Sequence, residues 1–257
     1  MKLRVLSLFA GIGGFDLGLE RTGGFRTVAF CEIDPAAQRV LRKHWPEVPI
    51  YDDVRELTGS ALAADGIFPN AIAAGFPCQD ASIGQTQWGQ RTGADGERTG
   101  LFSHAVRLAR ELGVEFILLE NVPGLLSAGF GQVLGALAEI GFDAEWRCIP
   151  ACALGLPHRR DRLWIVGYPG GQGLPRHNAG QSLLESAETA LAVNGHPAAG
   201  AWRALDSHLD SLRGGDGVSV AVERRRVKAL GNSIAPPIPE AIGNAILASL
   251  AEKKEAA

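Results

Sequence analysis

Much that would narrow the function of this chain at once is missing from it. Its four cysteines, Cys31, Cys78, Cys148 and Cys152, are scattered, and no two share the C-x2-C spacing of a zinc site. No metal is expected, and unpaired thiols suit a reducing cytoplasm. No apolar stretch is long enough to cross a bilayer. The N-terminus enters a strand-like run at once, so no leader is expected either. An excess of one charge is also lacking. The formal net charge of -3 argues mildly, as a bulk property, against a nucleic-acid partner. The charge is unevenly placed, however, so local clusters carry more than the sum.

What is present is a chain of 257 residues, long enough for one large core or a core with a small appended module. Leu3 to Phe9 reads as a buried strand that ends at a glycine-rich turn, followed by a helix from Phe15 to about Arg21. Thr27 to Cys31, Asn70 to Ala74, Glu115 to Leu119 and Leu163 to Val166 are further strands. Leu101, Ala105, Leu108, Ala109 and Leu112 recur at helical spacing. Alternating strands and helices predict an α/β fold with a parallel sheet covered on both faces. Gln79 to Gly100 breaks the pattern and reads as a long functional loop. From Pro169 to about Gly217 the sheet pattern stops, and a second small module is expected there. Ile238, Ala241, Ile242, Ala245 and Ile246 form one stripe of a final helix that docks back on the sheet.

The first turn, Phe9 to Phe15, joins a strand to a helix. Its glycines allow close approach of a ligand to main-chain N–H groups at a helix start. Glu32 follows at the end of the second strand, where a ribose hydroxyl would sit. The G-x-G-x-x-G fingerprint is not met, because Asp16 stands at its third glycine. That weakens a nicotinamide cofactor and leaves S-adenosylmethionine (SAM) open. A plain strand-to-helix turn without a ligand fits the same residues. Cys78 follows the third good strand, after Phe76 and Pro77, and points to the crevice beyond the strand ends; a small buried thiol is the alternative. Glu120 follows an apolar run, whose desolvation would suit it to hold a proton. Arg160 and Arg162 alternate onto one face if a strand begins there, and fixed guanidinium forks suit phosphate or a base carbonyl. Arg224, Arg225 and Arg226 give the last third of the chain a cationic face. Either arginine group also fits a solvated surface.

In order and wording these segments resemble the cytosine-5 DNA methyltransferase family. The resemblance rests on Leu8 to Phe15, Glu32-Ile33-Asp34, Asp53-Val54, Gly75-Phe76-Pro77-Cys78-Gln79, Arg98 to Phe102, Glu120-Asn121-Val122, Arg159 to Arg162 and Gly231-Asn232-Ser233. The Pro77-Cys78 segment is the most specific of them. The resemblance implies a Rossmann-like SAM-dependent sheet with a small target-recognition insertion. It implies SAM as cofactor, held by Phe9, Ala10, Gly11, Gly13, Gly14, Glu32, Ile33, Asp53, Val54, Pro77, Asn232 and Ser233. Phe9 would pack on the adenine, Glu32 bind the ribose, and Asp53 and Pro77 contact the adenine. Catalysis would fall to Cys78, Glu120, Arg160 and Arg162, with Cys78 adding to C6 of a flipped-out cytosine. Gln79, Ser82, Arg91, Arg98, Arg224, Arg225 and Arg226 would contact duplex DNA.

Two departures stand out: Ser7 occupies a position where the family often has an acid, and His158 stands before the arginines. The expected division is residues 1–168 as the catalytic domain, 169–217 as a short target-recognition region, and 218–257 as the closing motif and helix. So short a reader implies a short or degenerate target, or an additional recognition partner. A cognate restriction endonuclease is another expected partner. The expected setting is a monomer in a prokaryotic or phage-infected cytoplasm. The alternatives are a tRNA cytosine-5 methyltransferase of the same fold and a catalytically silent DNA-binding relative.

Overall fold

The computed structural model describes residues 2–77, 100–127, 129–150, 161–171, 181–193 and 234–256. Strands β1 (Leu3–Leu8), β2 (Phe25–Cys31), β3 (Ile50–Tyr51), β4 (Ala71–Gly75), β5 (Phe116–Asn121), β6 (Phe142–Pro150) and β7 (Asp161–Pro169) form one sheet in the order β3-β2-β1-β4-β5-β7-β6. Helices α1 (Gly14–Arg21), α2 (Pro35–His44), α3 (Gly59–Ala64), α4 (Phe102–Leu112), α5 (Phe130–Glu139), α6 (Leu183–Val193) and α7 (Pro237–Ala256) accompany it. The α/β class and Rossmann-like architecture expected from the sequence are what the chain adopts.

The period-two pattern of the central strands explains the layers. Leu6, Leu8, Ile72, Ala74, Ile117 and Leu119 face a core shared with Ala105 and Leu108 of α4 and Val133 and Leu137 of α5. The intervening Leu3, Val5, Ala71, Ala73, Phe116 and Leu118 face a second core with Phe15 and Leu19 of α1 and Ile242 and Ile246 of α7. Strands buried on both faces need apolar side chains at every position, which is why β5 reads as a continuous apolar run.

The sheet is not wholly parallel, which corrects the expectation from alternation alone. β1 to β5 are parallel, but β7 runs antiparallel to β5 and β6 antiparallel to β7. Antiparallel neighbours need no helical crossover. The strand β6 went unread because its burial alternates weakly along the sheet edge. The helix α6 lies within the stretch expected to form a separate module, yet Leu183, Leu184, Ala187 and Leu191 are buried in the second core beside Trp164 and Ile242.

The α1–α7 crossing depends on a missing side chain. A Cβ on Gly18 would overlap the Pro236 carbonyl oxygen and stand 2.6 Å from Pro239 Cγ. Replacing this glycine with alanine favours an isolated helix by about 1 kcal/mol. Overpacking against rigid main chain costs about 1–3 kcal/mol, so the steric effect should win. Gly18→Ala is therefore expected to lower stability in urea denaturation; an unchanged or raised midpoint would contradict the tight crossing.

Candidate active site

The strand order reverses at β1, whose neighbours are β2 on one side and β4 on the other. Loops leaving the carboxyl ends of β1 and β4 diverge there and open a crevice. The β1 loop is shaped by left-handed backbone: φ is 53° at Phe9, 56° at Gly11 and 82° at Gly13. A bulky residue rarely adopts this conformation, so Phe9 stores strain of about 1–3 kcal/mol. Gly13 is required twice over, by its φ and because a Cβ would stand 2.5 Å from the Trp45 ring. The Trp45 Nε1–H is anchored on Glu20 at 2.9 Å. Gly14 opens α1, and among the described residues no side chain caps its N-terminus. A Cβ on Gly11 would meet nothing within 4 Å.

Glu32, 9% exposed, leaves the end of β2 and ties this turn down. Its Oε2 accepts from the Gly11 N–H at 2.7 Å and its Oε1 from the Asp34 N–H at 2.8 Å. Each carboxylate oxygen keeps a further lone pair for a hydroxyl donor. Beside it, Ile33 is 65% exposed, an apolar side chain left facing outward. Asp53, in the loop after β3, accepts from the Arg55 main-chain N–H and Nε at 2.9 Å and from its Nη2 at 2.5 Å. The Arg55 side chain holds the Asp53 carboxyl below the usual carboxylate range. Arg107 of α4 supports the same loop by donating to the carbonyls of Val54 and Leu57 at 3.1 and 2.8 Å. The Val54 side chain itself is buried in the first core.

Glu120 stands inside β5 and is 8% exposed. Arg162, second residue of β7, brings its Nε to 2.8 Å from Glu120 Oε1. Glu120 pairs with Trp164 across the β5–β7 ladder. Arg162 lies two residues before Trp164 on the same face, which makes the two charges diagonal neighbours. Because β7 is antiparallel, its start lies where β5 ends, at the mouth of the crevice. Pro77 follows β4 there. Asn121 joins the two strand ends by donating from Nδ2 to the Phe76 carbonyl at 3.4 Å and accepting from the Val122 N–H at 2.8 Å.

Thus Phe9, Ala10, Gly11, Gly13, Gly14, Glu32, Ile33, Asp53, Pro77, Glu120 and Arg162 sit at the ends of β1, β2, β3, β4, β5 and β7 along one edge of the sheet. Cys78, Gln79, Ser82, Arg91, Arg98, Arg160, Arg224, Arg225, Arg226, Asn232 and Ser233 lie outside the described residues. Three participants were not proposed as site residues from sequence: Asn121, Asp16 and Gln38, a buried residue of α2 that donates to Asp52. Asn121 was legible as part of Glu120-Asn121-Val122 and Asp16 only as the residue at the third glycine position of the fingerprint; Gln38 gave no local signal. Among the described residues, no group of three or more His, Cys, Asp or Glu could hold a metal ion. No described helix is long and apolar enough to cross a membrane.

Asp16 accounts for the departure at Ser7. Ser7 Oγ donates to Asp16 Oδ2 and Thr27 Oγ1 to Asp16 Oδ1, both at 2.9 Å, and Asp16 is fully buried. The acid between β1 and β2 therefore comes from α1, and a second acid at position 7 would face it. Burial pushes the Asp16 carboxyl up to about 6, against the pull of the two hydroxyl donors.

Residues 3–194 match the family described as C-5 cytosine-specific DNA methylase. The Type II methyltransferase M2.BsuMI of Bacillus subtilis is 38% identical over 172 residues, which cover 64% of this chain and 41% of that protein. M.NgoMIV of Neisseria gonorrhoeae, also a Type II methyltransferase, is 37% identical over 171 residues, 65% of this chain and 52% of its own length. The chain thus spans about half the length of the curated relatives it matches. A solved structure described as a DNA modification methyltransferase encoded within an E. coli prophage is 27% identical, with a TM-score of 0.55, over 65% of this chain and 47% of that one. A DNMT2 mutant of Spodoptera frugiperda shares the fold at 22% identity and a TM-score of 0.55, over 68% of this chain and 52% of its own.

The raised Asp16 carboxyl predicts a pH dependence of stability. The folded state holds this proton more tightly than the unfolded chain, so the contribution is fully present below about 3.8 and is lost as pH rises through about 6. Asp16→Asn cannot titrate. Its stability relative to the wild type should rise by on the order of 1 kcal/mol between pH 5 and pH 7.5 in urea denaturation. A gap that does not change with pH would contradict the shift.

Proposed function

Because the chain belongs to the C-5 cytosine-specific DNA methylase family, we propose that it transfers the methyl group of SAM to carbon 5 of cytosine in duplex DNA. One observation carries the reading: a strained glycine turn clasped by Glu32 and a buried Glu120 paired with the half-buried Arg162 open on the same edge of the sheet. The first suits a nucleoside-containing cofactor, the second a polar heterocycle.

The residues fit SAM. The uncapped start of α1 and the free space at Gly11 receive its amino-acid end, with Ala10, Gly13 and Gly14 shaping the approach. Glu32 has lone pairs left for ribose hydroxyls. Phe9 and the outward-facing Ile33 would offer apolar contacts to adenine, and an ionised Asp53 would accept from its exocyclic amine. Val54, Pro77, Asn232 and Ser233 are the further proposed cofactor contacts. SAM supplies, when bound, an electrophilic methyl group that a carbon nucleophile can take.

The rest of the chemistry belongs to the chain. The target base is first flipped out of the stack, since C6 cannot be reached inside a duplex. The Cys78 thiolate adds to C6 while Glu120 holds the proton at N3, which makes C5 nucleophilic. A free thiol with a pKa near ~8.5 is mostly protonated at neutral pH, so its setting must favour the anion. Arg162 keeps Glu120 in place and meets the base, with Arg160 as its neighbour. With C5 joined to the methyl group and S-adenosylhomocysteine left as the second product, loss of the C5 proton to water and departure of Cys78 as the thiolate would restore the aromatic ring.

Gln79, Ser82, Arg91, Arg98 and Arg224 to Arg226 are the proposed DNA contacts. We assign catalysis to residues 1–168 and target reading to 169–217, anchored through α6, with 218–257 closing the cofactor site. The names of the relatives, Type II methyltransferases of bacteria, support a restriction endonuclease as a functional partner and a cytoplasmic setting.

Bisulfite sequencing of plasmid DNA from a host without cytosine-5 methylation, expressing this chain, tests the reading. Protected cytosines in a recurring short context are expected. Complete conversion, with SAM-binding protein present in the cell, would reject methylation of duplex DNA by this chain alone and move the reading to an RNA substrate or a missing recognition partner. Cys78→Ala should abolish protection while SAM still binds, and Glu120→Gln should slow turnover by at least about a hundredfold. Full activity in either variant would overturn the assigned roles.

A further inference from the structure

The two carboxylates assigned to the adenosine end of the cofactor, Glu32 and Asp53, leave strands that are barely joined. β3 has two residues, and the last main-chain rung between it and β2 runs from the Glu32 N–H to the Tyr51 carbonyl at 2.9 Å. Past that rung the ladder ends, yet both carboxylates lie past it. Gln38 of α2, 6% exposed, spans this gap. Its Nε2 donates to the Glu32 carbonyl at 2.6 Å and to Asp52 Oδ1 at 2.7 Å. Its Oε1 accepts from Arg42 Nη2 at 2.9 Å. A guanidinium can only donate, so Arg42 fixes which end of the amide is oxygen and leaves both amide hydrogens for Glu32 and Asp52. The far side of the Asp53 loop is held separately by Arg107.

We propose that Gln38 is a positioning residue that sets the separation of Glu32 and Asp53 and thereby the affinity for the adenosine part of the cofactor. The proposal rests on the SAM reading above. Gln38 acts through the main chain of Glu32 and the side chain of Asp52, one residue before Asp53. Losing it removes two donors at once and leaves the Glu32 carbonyl without this partner. A merely structural residue would lower stability alike for every ligand state. A positioning residue changes ligand affinity, and does so through the Gln38–Asp52 bond.

The test is calorimetric titration of the full chain with S-adenosylhomocysteine, for the wild type, Gln38→Leu, Gln38→Glu, Asp52→Ala and the double variant Gln38→Leu/Asp52→Ala. Gln38→Leu should weaken binding about tenfold or more, and Gln38→Glu, which cannot donate at neutral pH, to a similar extent. Asp52→Ala, at an exposed position and therefore safe for folding, should weaken it about threefold or more. The double variant should bind no worse than Gln38→Leu, because both changes remove the same bond. In turnover, the KM for SAM should rise by the same factor while kcat stays within about twofold.

Wild-type affinity in Asp52→Ala would overturn the proposal even if Gln38→Leu does not fold. So would losses that multiply in the double variant, or a fall in kcat at constant KM. A wild type that binds no S-adenosylhomocysteine would instead overturn the cofactor reading, and this inference with it.

Discussion

The Glu32 carboxylate, accepting from the Gly11 and Asp34 main-chain N–H groups, is the contact on which the crevice depends. A turn with left-handed backbone at Phe9, Gly11 and Gly13 leaves N–H groups that no ladder or helix can use. Glu32 satisfies one of them and so holds the turn open rather than collapsed. The same carboxylate sits at the end of β2, so it ties the turn after β1 to the loop after β2. Gln38 and Arg107 extend that tie to the loop carrying Asp53.

Support from beneath is equally specific. Asp16 sits in the first turn of α1, fully buried, and its two oxygens take hydroxyl donors from β1 and β2. That links helix and strands below the turn with polar bonds in a region otherwise filled by Phe15, Leu19 and the apolar stripe of α7. A buried carboxyl without these donors would be far costlier. The close α1–α7 crossing at Gly18 presses the C-terminal helix onto the same support. Stability and ligand geometry thus share one small set of side chains around α1.

Much of the frame was legible because local pattern suffices for it. Continuous apolar runs marked β1, β4 and β5, and the stripe from Ile238 to Ile246 marked α7. Strand ends carrying Glu32 and Glu120 were legible for the same reason. Gln38 was not: next to Arg39, Arg42 and Lys43 it reads as part of a solvated helix face, and its burial follows from the loop folding over it. Asp16 read only as a missing glycine. The strand β6 and the helix α6 escaped because their patterns are weak; β6 is an edge strand paired, among the described residues, with β7 alone, and α6 packs on α7 far along the chain.

By itself, then, the sequence determined which residues stand at strand ends and which faces of the central strands are apolar, since a period of two and a run of buried positions are local properties. The tertiary structure decided partners. β7 enters antiparallel beside β5, which carries Arg162 to the mouth of the crevice and onto Glu120; in a parallel sheet its start would lie at the opposite end. Ser7 meets Asp16 because α1 folds back over β1. Such pairings depend on strand order and direction, which are set by the joint packing of both cores and not by any local stretch of residues.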